Sequence, residues 1–176
     1  RRLPPALREM DLSGRLLRDF ALPAHFLELG DPSRGPRNNR CFEGLAVSPD
    51  GRHAWVAMEG PLLQDGPLPR PGQAGGPCRL TRFDLATGQA DHQIAYQPDP
   101  VPLAPWPGGG LGGENGISEI LMLDAHQLLV LERAYVPGRG VSLCLYRMDT
   151  REASPTLTED TLRAGAYRAV PKRLVA

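Results

Sequence analysis

The stretch Asn115-Gly-Ile-Ser-Glu-Ile-Leu-Met-Leu-Asp-Ala-His-Gln-Leu-Leu-Val-Leu-Glu132 decides the fold of this chain. It contains two apolar runs, at 120–123 and 128–131, which flank a turn signal at 124–127. Short apolar runs on either side of a turn signal are typical of a tight β-hairpin. We therefore predict that this stretch folds back on itself as two antiparallel strands.

Two carboxylates bracket the predicted hairpin. Glu119 enters the first run and Glu132 leaves the second, so folding the stretch about its turn places the two side chains opposite each other. Directly opposed like charges destabilise a strand pair. We therefore expect compensation from a cation, from an arginine or from open solvent.

A similar hairpin is predicted earlier in the chain. An apolar strand at 42–47 is followed by the turn sequence Ser-Pro-Asp-Gly-Arg at 48–52 and by a second strand at 54–58. Glu43 and Glu59 lie symmetrically about this turn. The second hairpin therefore poses the same electrostatic question as the first.

The hairpins belong to a repeat. The two Glu-bracketed hairpins start 76 residues apart, and a strand-into-turn phrase that ends in aspartate recurs at Asp11, Asp84 and Asp149. Each repeat thus contains an inner and an outer hairpin, and radial repetition of four-stranded antiparallel units is a β-propeller. We predict an all-β chain with about two to two and a half propeller-like blades of four antiparallel strands, a fragment of a larger ring.

The expected boundaries follow from this repeat. They are the outer half of a blade at 7–22, a blade at 41–96, a blade at 117–158 and the start of a next element at 159–176. An incomplete ring leaves open strand edges, which favour pairing with other strands. We therefore expect the remaining propeller blades, or another chain, to close the ring.

The composition excludes several classes of function. The chain has 20 basic and 20 acidic residues, so net charge gives it no affinity for nucleic acid or for a membrane surface. No run of 18 apolar residues is present, so we expect no membrane span. The 20 glycines and 19 prolines favour a turn-rich β protein. Cys41, Cys78 and Cys144 fit no metal-ligand spacing, and their disulfide state stays open.

The predicted topology places the long connections together. In an up-and-down blade alternate connections lie on one face, so the segments 23–40, 60–78, 97–114 and 133–140 share a face. Both glutamate pairs lie at strand ends on that face. Binding and catalytic residues concentrate on such loops, and we expect the functional site there.

Four motifs, in this order, resemble one family. They are Asn39-Arg-Cys-Phe-Glu-Gly-Leu-Ala-Val-Ser-Pro-Asp-Gly51, Glu59-Gly-Pro-Leu62, Asn115-Gly-Ile-Ser-Glu119 and Leu128-Leu-Val-Leu-Glu-Arg133. From about residue 7 to about residue 150 the chain resembles the phytase-like family, described as "esterase-like activity of phytase". The resemblance implies a secreted or periplasmic β-propeller that binds calcium and acts on phosphate esters. The first residues lack a Met and an apolar signal core, so we expect a longer parent chain.

Residues of the loop face suit this chemistry. Calcium takes six to eight oxygen ligands, carboxylates among them, and the candidate metal ligands are Glu43, Glu59, Glu119 and Glu132. A bound Ca²⁺ would hold a substrate phosphate and polarise a water nucleophile. Arg40 and Arg133 flank the same positions and are candidate contacts for that phosphate. The alternative is that each glutamate pairs with a neighbouring arginine or accepts backbone N–H groups.

Two functions stay open at this point. The first is a calcium-assisted hydrolase of phosphate or related esters that acts on a small molecule at the loop face, with no catalytic residue assigned. The second is a non-catalytic β-propeller module that binds a protein or a small ligand. Neither function involves nucleic acid or a membrane.

Overall fold

Strands carry nearly all of the regular structure of this protein. The computed structural model describes residues 3–102 and 112–176. Helices in this part of the chain are limited to three short 3-10 turns, at Ala24–Phe26, Leu63–Asp65 and Thr150–Glu152, and none of them is long and apolar enough to cross a membrane. The strands are β1 Arg8–Met10, β2 Leu16–Asp19, β3 Phe42–Val47, β4 His53–Met58, β5 Cys78–Asp84, β6 Ala90–Tyr96, β7 Glu114–Met122, β8 Gln127–Val136, β9 Gly140–Asp149 and β10 Lys172–Leu174. The predicted all-β class is confirmed.

These strands form two four-stranded sheets and a separate hairpin. The first sheet has the order β3-β4-β5-β6, the second has the order β7-β8-β9-β10, and β1 pairs with β2. Neighbouring strands in each sheet are antiparallel. Four antiparallel strands connected in sequence order are consistent with a propeller blade. The two sheets therefore confirm the predicted type of unit.

Each sheet begins with a β-bulge in its first strand. The register shifts around Glu43 in β3 and around Ser118 in β7, and each of these residues is left unpaired in the ladder. A bulge of this kind adds one residue to a strand, so the side chains beyond it change face. The two hairpins thus share a feature that their apolar patterns do not show.

The register of the β7–β8 hairpin makes one sequence prediction wrong, because the N–H of Leu123 bonds to the carbonyl oxygen of Gln127 (2.9 Å) and the turn is thus one residue shorter than predicted. Glu119 pairs with Leu131, whereas Glu132 pairs with Ile117. Glu119 is exposed, and Glu132 is 2% exposed. Because partners across a strand pair share a face and successive residues alternate, the two carboxylates lie on opposite faces of the sheet instead of opposing each other.

The two sheets pack against each other around one apolar core. Its large members include Trp55 and Met58 from the first sheet and Ile117, Leu128 and Val130 from the second, each at most 1% exposed. Strand β8 buries every second residue from position 128 onward, so one face of this strand points into the core. Glu132 is on that buried face, so the second sheet carries a carboxylate beside its apolar core.

A close approach of the two backbones fixes the distance between the sheets. Gly44 in β3 lies against β7, where a Cβ atom would be 2.9 Å from the backbone nitrogen of Ile120. Real Cβ atoms do not approach backbone so closely, so this contact requires glycine. The innermost strands of the two sheets are therefore neighbours, as expected for adjacent blades.

The second sheet ends later than predicted. After β9 the chain leaves the sheet at 150–171 and runs along the outer strand of the first sheet, where the N–H of Thr156 donates to the carbonyl oxygen of Gln93 (2.8 Å). It then returns as β10, the fourth strand of the second sheet. The boundary predicted at 158 and the separate element predicted at 159–176 are corrected accordingly. This segment covers the free edge of β6, a position that would otherwise expose unpaired backbone groups.

Three long connections meet on one face of the sheets. They span residues 20–41, 59–77 and 97–113, of which 103–111 lie outside the described residues. Hydrogen bonds join the first loop to the second and the second to the third, the latter from the N–H of Val101 to the carbonyl oxygen of Arg70 (3.2 Å). The fourth connection predicted on this face, at 133–140, is only the turn 137–139, because β8 and β9 extend further than their apolar runs suggested.

Candidate functional site

A cavity of about 350 Å³ opens on the face of the long loops. Its polar lining comes from Asp99, Asn115, Glu132, Ser142 and Cys144, and its apolar lining comes from Pro100, Val101, Pro102 and Ala134. The walls thus combine the third long loop with the adjacent ends of β7, β8 and β9. This is the largest group of ionisable side chains around a cavity on that face among the residues described.

Glu132 is a buried carboxylate whose oxygens are fully engaged. Oε1 accepts a hydrogen bond from the hydroxyl of Tyr96 (2.7 Å) and another from the ammonium group of Lys172. Oε2 accepts from Nδ2 of Asn115 (2.7 Å) and from the backbone N–H of Asp99 (3.0 Å). Four donors satisfy the lone pairs of one carboxylate, so this buried charge is stabilised by its surroundings.

Asp99 is the second carboxylate of the cavity and is about half exposed, with 47% of its side chain accessible. Its Oδ1 lies 2.7 Å from Nζ of Lys172, and its Oδ2 accepts a hydrogen bond from the hydroxyl of Tyr146. Partial burial would raise the pKa of Asp99, but the hydrogen bonds from Lys172 and Tyr146 outweigh it and lower the pKa below its usual value. Asp99 is therefore ionised at neutral pH and accessible from the cavity.

Lys172 connects the two carboxylates. Its ammonium group bridges Glu132 and Asp99 and lies 4.2 Å from the ring centroid of Tyr146 and 4.9 Å from that of Tyr96. A cation over aromatic faces gains further electrostatic attraction. The cation expected beside Glu132 is thus a lysine supplied by β10.

Both tyrosines remain hydrogen-bond donors in this setting. Burial and the negative charge of Glu132 raise the pKa of Tyr96 far above its usual value. Burial and the hydrogen bond to Asp99 raise the pKa of Tyr146 in the same way. Neither hydroxyl ionises near neutral pH, so each continues to donate to its carboxylate.

Asn115 carries an acceptor that no group in the described part of the chain satisfies. Its Nδ2 donates to Glu132 and to the carbonyl oxygen of Asp99 (3.0 Å), whereas its Oδ1 is buried without a hydrogen-bond partner among the described residues. Buried polar atoms rarely lack a partner. Asn115 lines the cavity, and its Oδ1 is the buried acceptor beside it that no described protein group satisfies.

The other predicted pair of glutamates has a different environment. The guanidinium group of Arg40 donates to the carboxylates of Glu59 and Glu114. Burial raises the pKa of Glu59, and the charge and hydrogen bond of Arg40 oppose that rise. Pairing with an arginine, the alternative that the sequence left open, is the arrangement found at Glu59. Arg40 is held between two carboxylates and is not free to bind a phosphate.

The remaining predicted residues lie apart from the cavity. The carboxylate of Glu119 accepts hydrogen bonds from the backbone N–H groups of Leu45 (3.1 Å) and Ile120 (2.9 Å), which ties β7 to β3. Glu43 is exposed at its bulge, and Arg133 is exposed on the face of β8 opposite to Glu132. Of the six predicted site residues, the structure places only Glu132 at the cavity.

The donor set does not fit a calcium ion shared by the four glutamates. Within residues 3–102 and 112–176, no three His, Cys, Asp or Glu side chains are grouped as metal ligands would be. Calcium requires six to eight oxygens, but the oxygens of Glu132 are taken by four donors and those of Glu59 face an arginine. The three cysteines are free thiols.

Sequence reasoning missed Asp99, Lys172, Tyr96 and Tyr146. Asp99 lies in a loop without periodicity, and Lys172 lies 73 residues further along the chain, so no local pattern connects them. One signal was present, because Lys172 is the only lysine in a chain with 19 arginines. The rarity of lysine in this chain is a reason to look for a specific carboxylate that pairs with Lys172.

The fold and the cavity define an all-β protein built from propeller-type blades, with an acidic site on its long-loop face. The sequence matches the phytase-like family, described as "esterase-like activity of phytase", over residues 1–176. The chain therefore belongs to the phytase-like family, as the motifs suggested. No curated protein and no solved structure gives a significant match to the chain.

Proposed function

We propose that this chain supplies the substrate cavity of an esterase-like hydrolase that acts on phosphate or related esters. The family description supports the reaction class. The observation that carries the proposal is Asp99, an ionised and half-exposed carboxylate held in a cavity large enough for a small ligand. Cavities of a few hundred cubic ångströms with a few convergent polar groups are typical ligand sites.

The role that suits Asp99 is to orient the attacking water. Lys172 and Tyr146 fix both oxygens of its carboxylate, so its geometry is set before a ligand binds. Preorganised groups of this kind contribute through proximity and orientation. The lowered pKa makes Asp99 a weak base, and a hydrogen bond to a water is therefore its most effective contribution.

The charge of the cavity favours some esters over others. Two carboxylates face one ammonium group, so the cluster carries a formal excess of one negative charge. A dianionic phosphate monoester would be repelled at this short range, whereas a neutral ester would not. We therefore rank neutral esters first and phosphate esters second among the substrates of this site.

The family resemblance also implied that calcium assists the reaction. Calcium would help an anionic phosphate to approach, but the glutamates proposed as its ligands do not converge, and Glu132 has no free lone pair for it. We therefore assign calcium no role in the proposed reaction.

The test measures hydrolysis of p-nitrophenyl acetate and p-nitrophenyl phosphate by the full chain, with Ca²⁺ and with a chelator. We expect turnover of the neutral ester in both conditions and slower turnover of the phosphate. A requirement for Ca²⁺ in both reactions would contradict the proposed role of the protein's own residues.

A non-catalytic binding module is the second candidate. The observation that favours it is the saturation of Glu132, which makes that residue part of the structure and leaves Asp99 and Asn115 to contact a ligand. If both esters remain uncleaved while a ligand still protects the chain against thermal unfolding, this second function replaces the first.

We also propose that another four-stranded blade packs on the outer face of the second sheet. Leu121, Tyr135, Val141 and Leu143 are 57%, 41%, 53% and 59% exposed on that face, while the other face packs on the first sheet. Large exposed apolar patches usually mark interaction surfaces. We expect the chain to self-associate in sedimentation experiments and Leu143→Arg to suppress this. A wild-type chain that remains monomeric at high concentration would contradict the proposal.

A further inference from the structure

We propose that Lys172 is the resident cation between the two cavity carboxylates, Glu132 and Asp99, and a positioning residue for Asp99. Its ammonium group occupies the place between Glu132 and Asp99 that a divalent cation would need. Replacing it by a neutral side chain should therefore create a divalent-cation site from these two carboxylates. This inference goes beyond the proposed reaction and holds whether or not the cavity hydrolyses esters.

The contacts of the ammonium group resemble those of a bridging ion. It lies 2.7 Å from Oδ1 of Asp99 and donates to Oε1 of Glu132, so one positive charge links two carboxylates. The faces of Tyr96 and Tyr146 enclose it at 4.9 Å and 4.2 Å from their centroids, and its side chain is 15% exposed. Two carboxylates and two aromatic faces thus surround the ammonium group of Lys172.

The strand order explains how Lys172 reaches this position. Lys172 is in β10, the outer strand, and it extends past Tyr146 of the neighbouring β9 to reach Glu132 on β8. Docking of β10 therefore places the cation between the two carboxylates. Asp99, on the loop after the first sheet, is held by the same group, so Lys172 couples the two sheets at the site.

The charge balance of the cavity predicts the effect of removing the lysine. Without Lys172, two carboxylates would remain close together in a partly buried place, and uncompensated buried charge is strongly unfavourable. Hard divalent cations take such oxygen ligands and complete their shells with water. A metal ion would thus relieve the excess charge.

The experiment compares the full wild-type chain with Lys172→Met and Lys172→Arg. Thermal unfolding is followed with and without millimolar Ca²⁺, and Tb³⁺ binding is followed by luminescence excited through the adjacent tyrosines. We expect no Ca²⁺-dependent rise in the Tm of the wild type or of Lys172→Arg. We expect Lys172→Met to have a lower Tm, a rise of several degrees with Ca²⁺, and a Tb³⁺ signal that the wild type lacks.

A further variant assigns the signal to the cavity. Adding Asp99→Asn to Lys172→Met should abolish the Tb³⁺ signal, because one of the two carboxylates is then neutral. A merely structural role of Lys172 would lower the Tm without creating metal binding. A folded Lys172→Met chain that gains no Ca²⁺ response, or a wild-type Ca²⁺ response that Asp99→Asn removes, would overturn the proposal.

A second neutral substitution, Lys172→Gln, serves if Lys172→Met does not fold. Lys172→Gln retains hydrogen-bonding capacity and is expected to show the same gain of Tb³⁺ binding as Lys172→Met. If neither variant folds, the wild-type response to Ca²⁺ decides alone: an unchanged Tm supports the resident lysine, and a rise that Asp99→Asn removes overturns it. Failure of ester hydrolysis affects none of these readings, so the two proposals are tested separately.

Discussion

The Nζ atom of Lys172 lies 2.7 Å from Oδ1 of Asp99, although the two residues are 73 positions apart in the chain. Asp99 is on the loop between the two sheets, and Lys172 is on the last strand of the second sheet. Their contact therefore requires both sheets to be complete and correctly packed. It makes the cavity a product of the tertiary fold instead of a local motif.

Loss of the buried carboxylate should destabilise the chain strongly. The side chain of Glu132 is 2% exposed. Glu132→Ala removes the acceptor of four hydrogen-bond donors, one of them the ammonium group of Lys172. Breaking a buried pair by removing one member costs about 3–5 kcal/mol. Urea unfolding should report a loss of that order. The control is Glu119→Ala, which removes an exposed glutamate and should cost about 1 kcal/mol; equal losses would contradict the role assigned to Glu132.

A second buried ion pair fixes the loops of the first sheet. Arg79 contacts Asp65 through two hydrogen bonds of 2.7 Å and 2.9 Å, and both side chains are fully inaccessible. Asp65→Asn should destabilise the chain by about 3–5 kcal/mol, because it leaves the guanidinium group uncompensated. The free energy of unfolding measures this loss.

The same chain offers a matched control for that ion pair. Arg82 also makes two hydrogen bonds to one carboxylate, Asp91, but about a third of each side chain is exposed. Asp91→Asn should therefore cost less than about 1 kcal/mol. Similar losses for the two variants would show that burial does not determine the contribution of these pairs.

Acid should destabilise the chain through His25. Burial and the nearby charge of Arg79 lower the pKa of His25 to about 3, from about 6.5 in an unfolded chain. The unfolded state binds the proton first, so this contribution to stability is complete above pH 6.5 and is lost as the pH falls toward 3. The expected slope is about 1.4 kcal/mol per pH unit.

The difference between wild type and His25→Gln isolates this effect. Between pH 6.5 and pH 5 few carboxyl groups titrate, so the wild type should lose stability in this window while the variant should lose much less. An equal pH dependence of the two proteins would contradict the lowered pKa of His25 in the folded state.

The contact between the innermost strands is also open to a direct test. Gly44→Ala would place a methyl group 2.9 Å from the nitrogen of Ile120 and 3.1 Å from the carbonyl carbon of Glu119, both backbone atoms. Overpacking of this kind costs about 1–3 kcal/mol. Gly30→Ala is the control, because its methyl group would meet nothing within 4 Å. Equal stability of the two variants would contradict the close approach of β3 and β7.

The architecture could be predicted because it rests on local signals. Turn sequences such as 48–52 and the apolar runs around 124–127 fix hairpins, and their repetition at a spacing of 76 residues indicates blades. The register of the β7–β8 hairpin could not be predicted in this way, since a turn shorter by one residue changes which side chains share a face and leaves the apolar pattern intact. The shorter turn placed Glu119 opposite Leu131 and separated it from Glu132.

The site could be predicted only in part, because its charges are paired over long distances. Glu132 was identified from its position at a strand end, but its compensation by Lys172 depends on a strand that pairs after a detour of some twenty residues along the other sheet. Asp99 carries no periodic or motif signal at all. A long-range ion pair can be predicted from one sequence only when a repeat or a rare residue type distinguishes both of its residues.

The most direct test of the proposed site is the kcat/KM of Asp99→Asn for p-nitrophenyl acetate. The change removes the ionised carboxylate of the cavity and keeps the size of the side chain. We predict a loss of about 10²-fold or more, typical of a positioned catalytic carboxylate, while Glu43→Gln, which alters an exposed glutamate away from the cavity, retains wild-type activity. A folded Asp99→Asn chain with wild-type kcat/KM would contradict the assignment of the cavity as the active site.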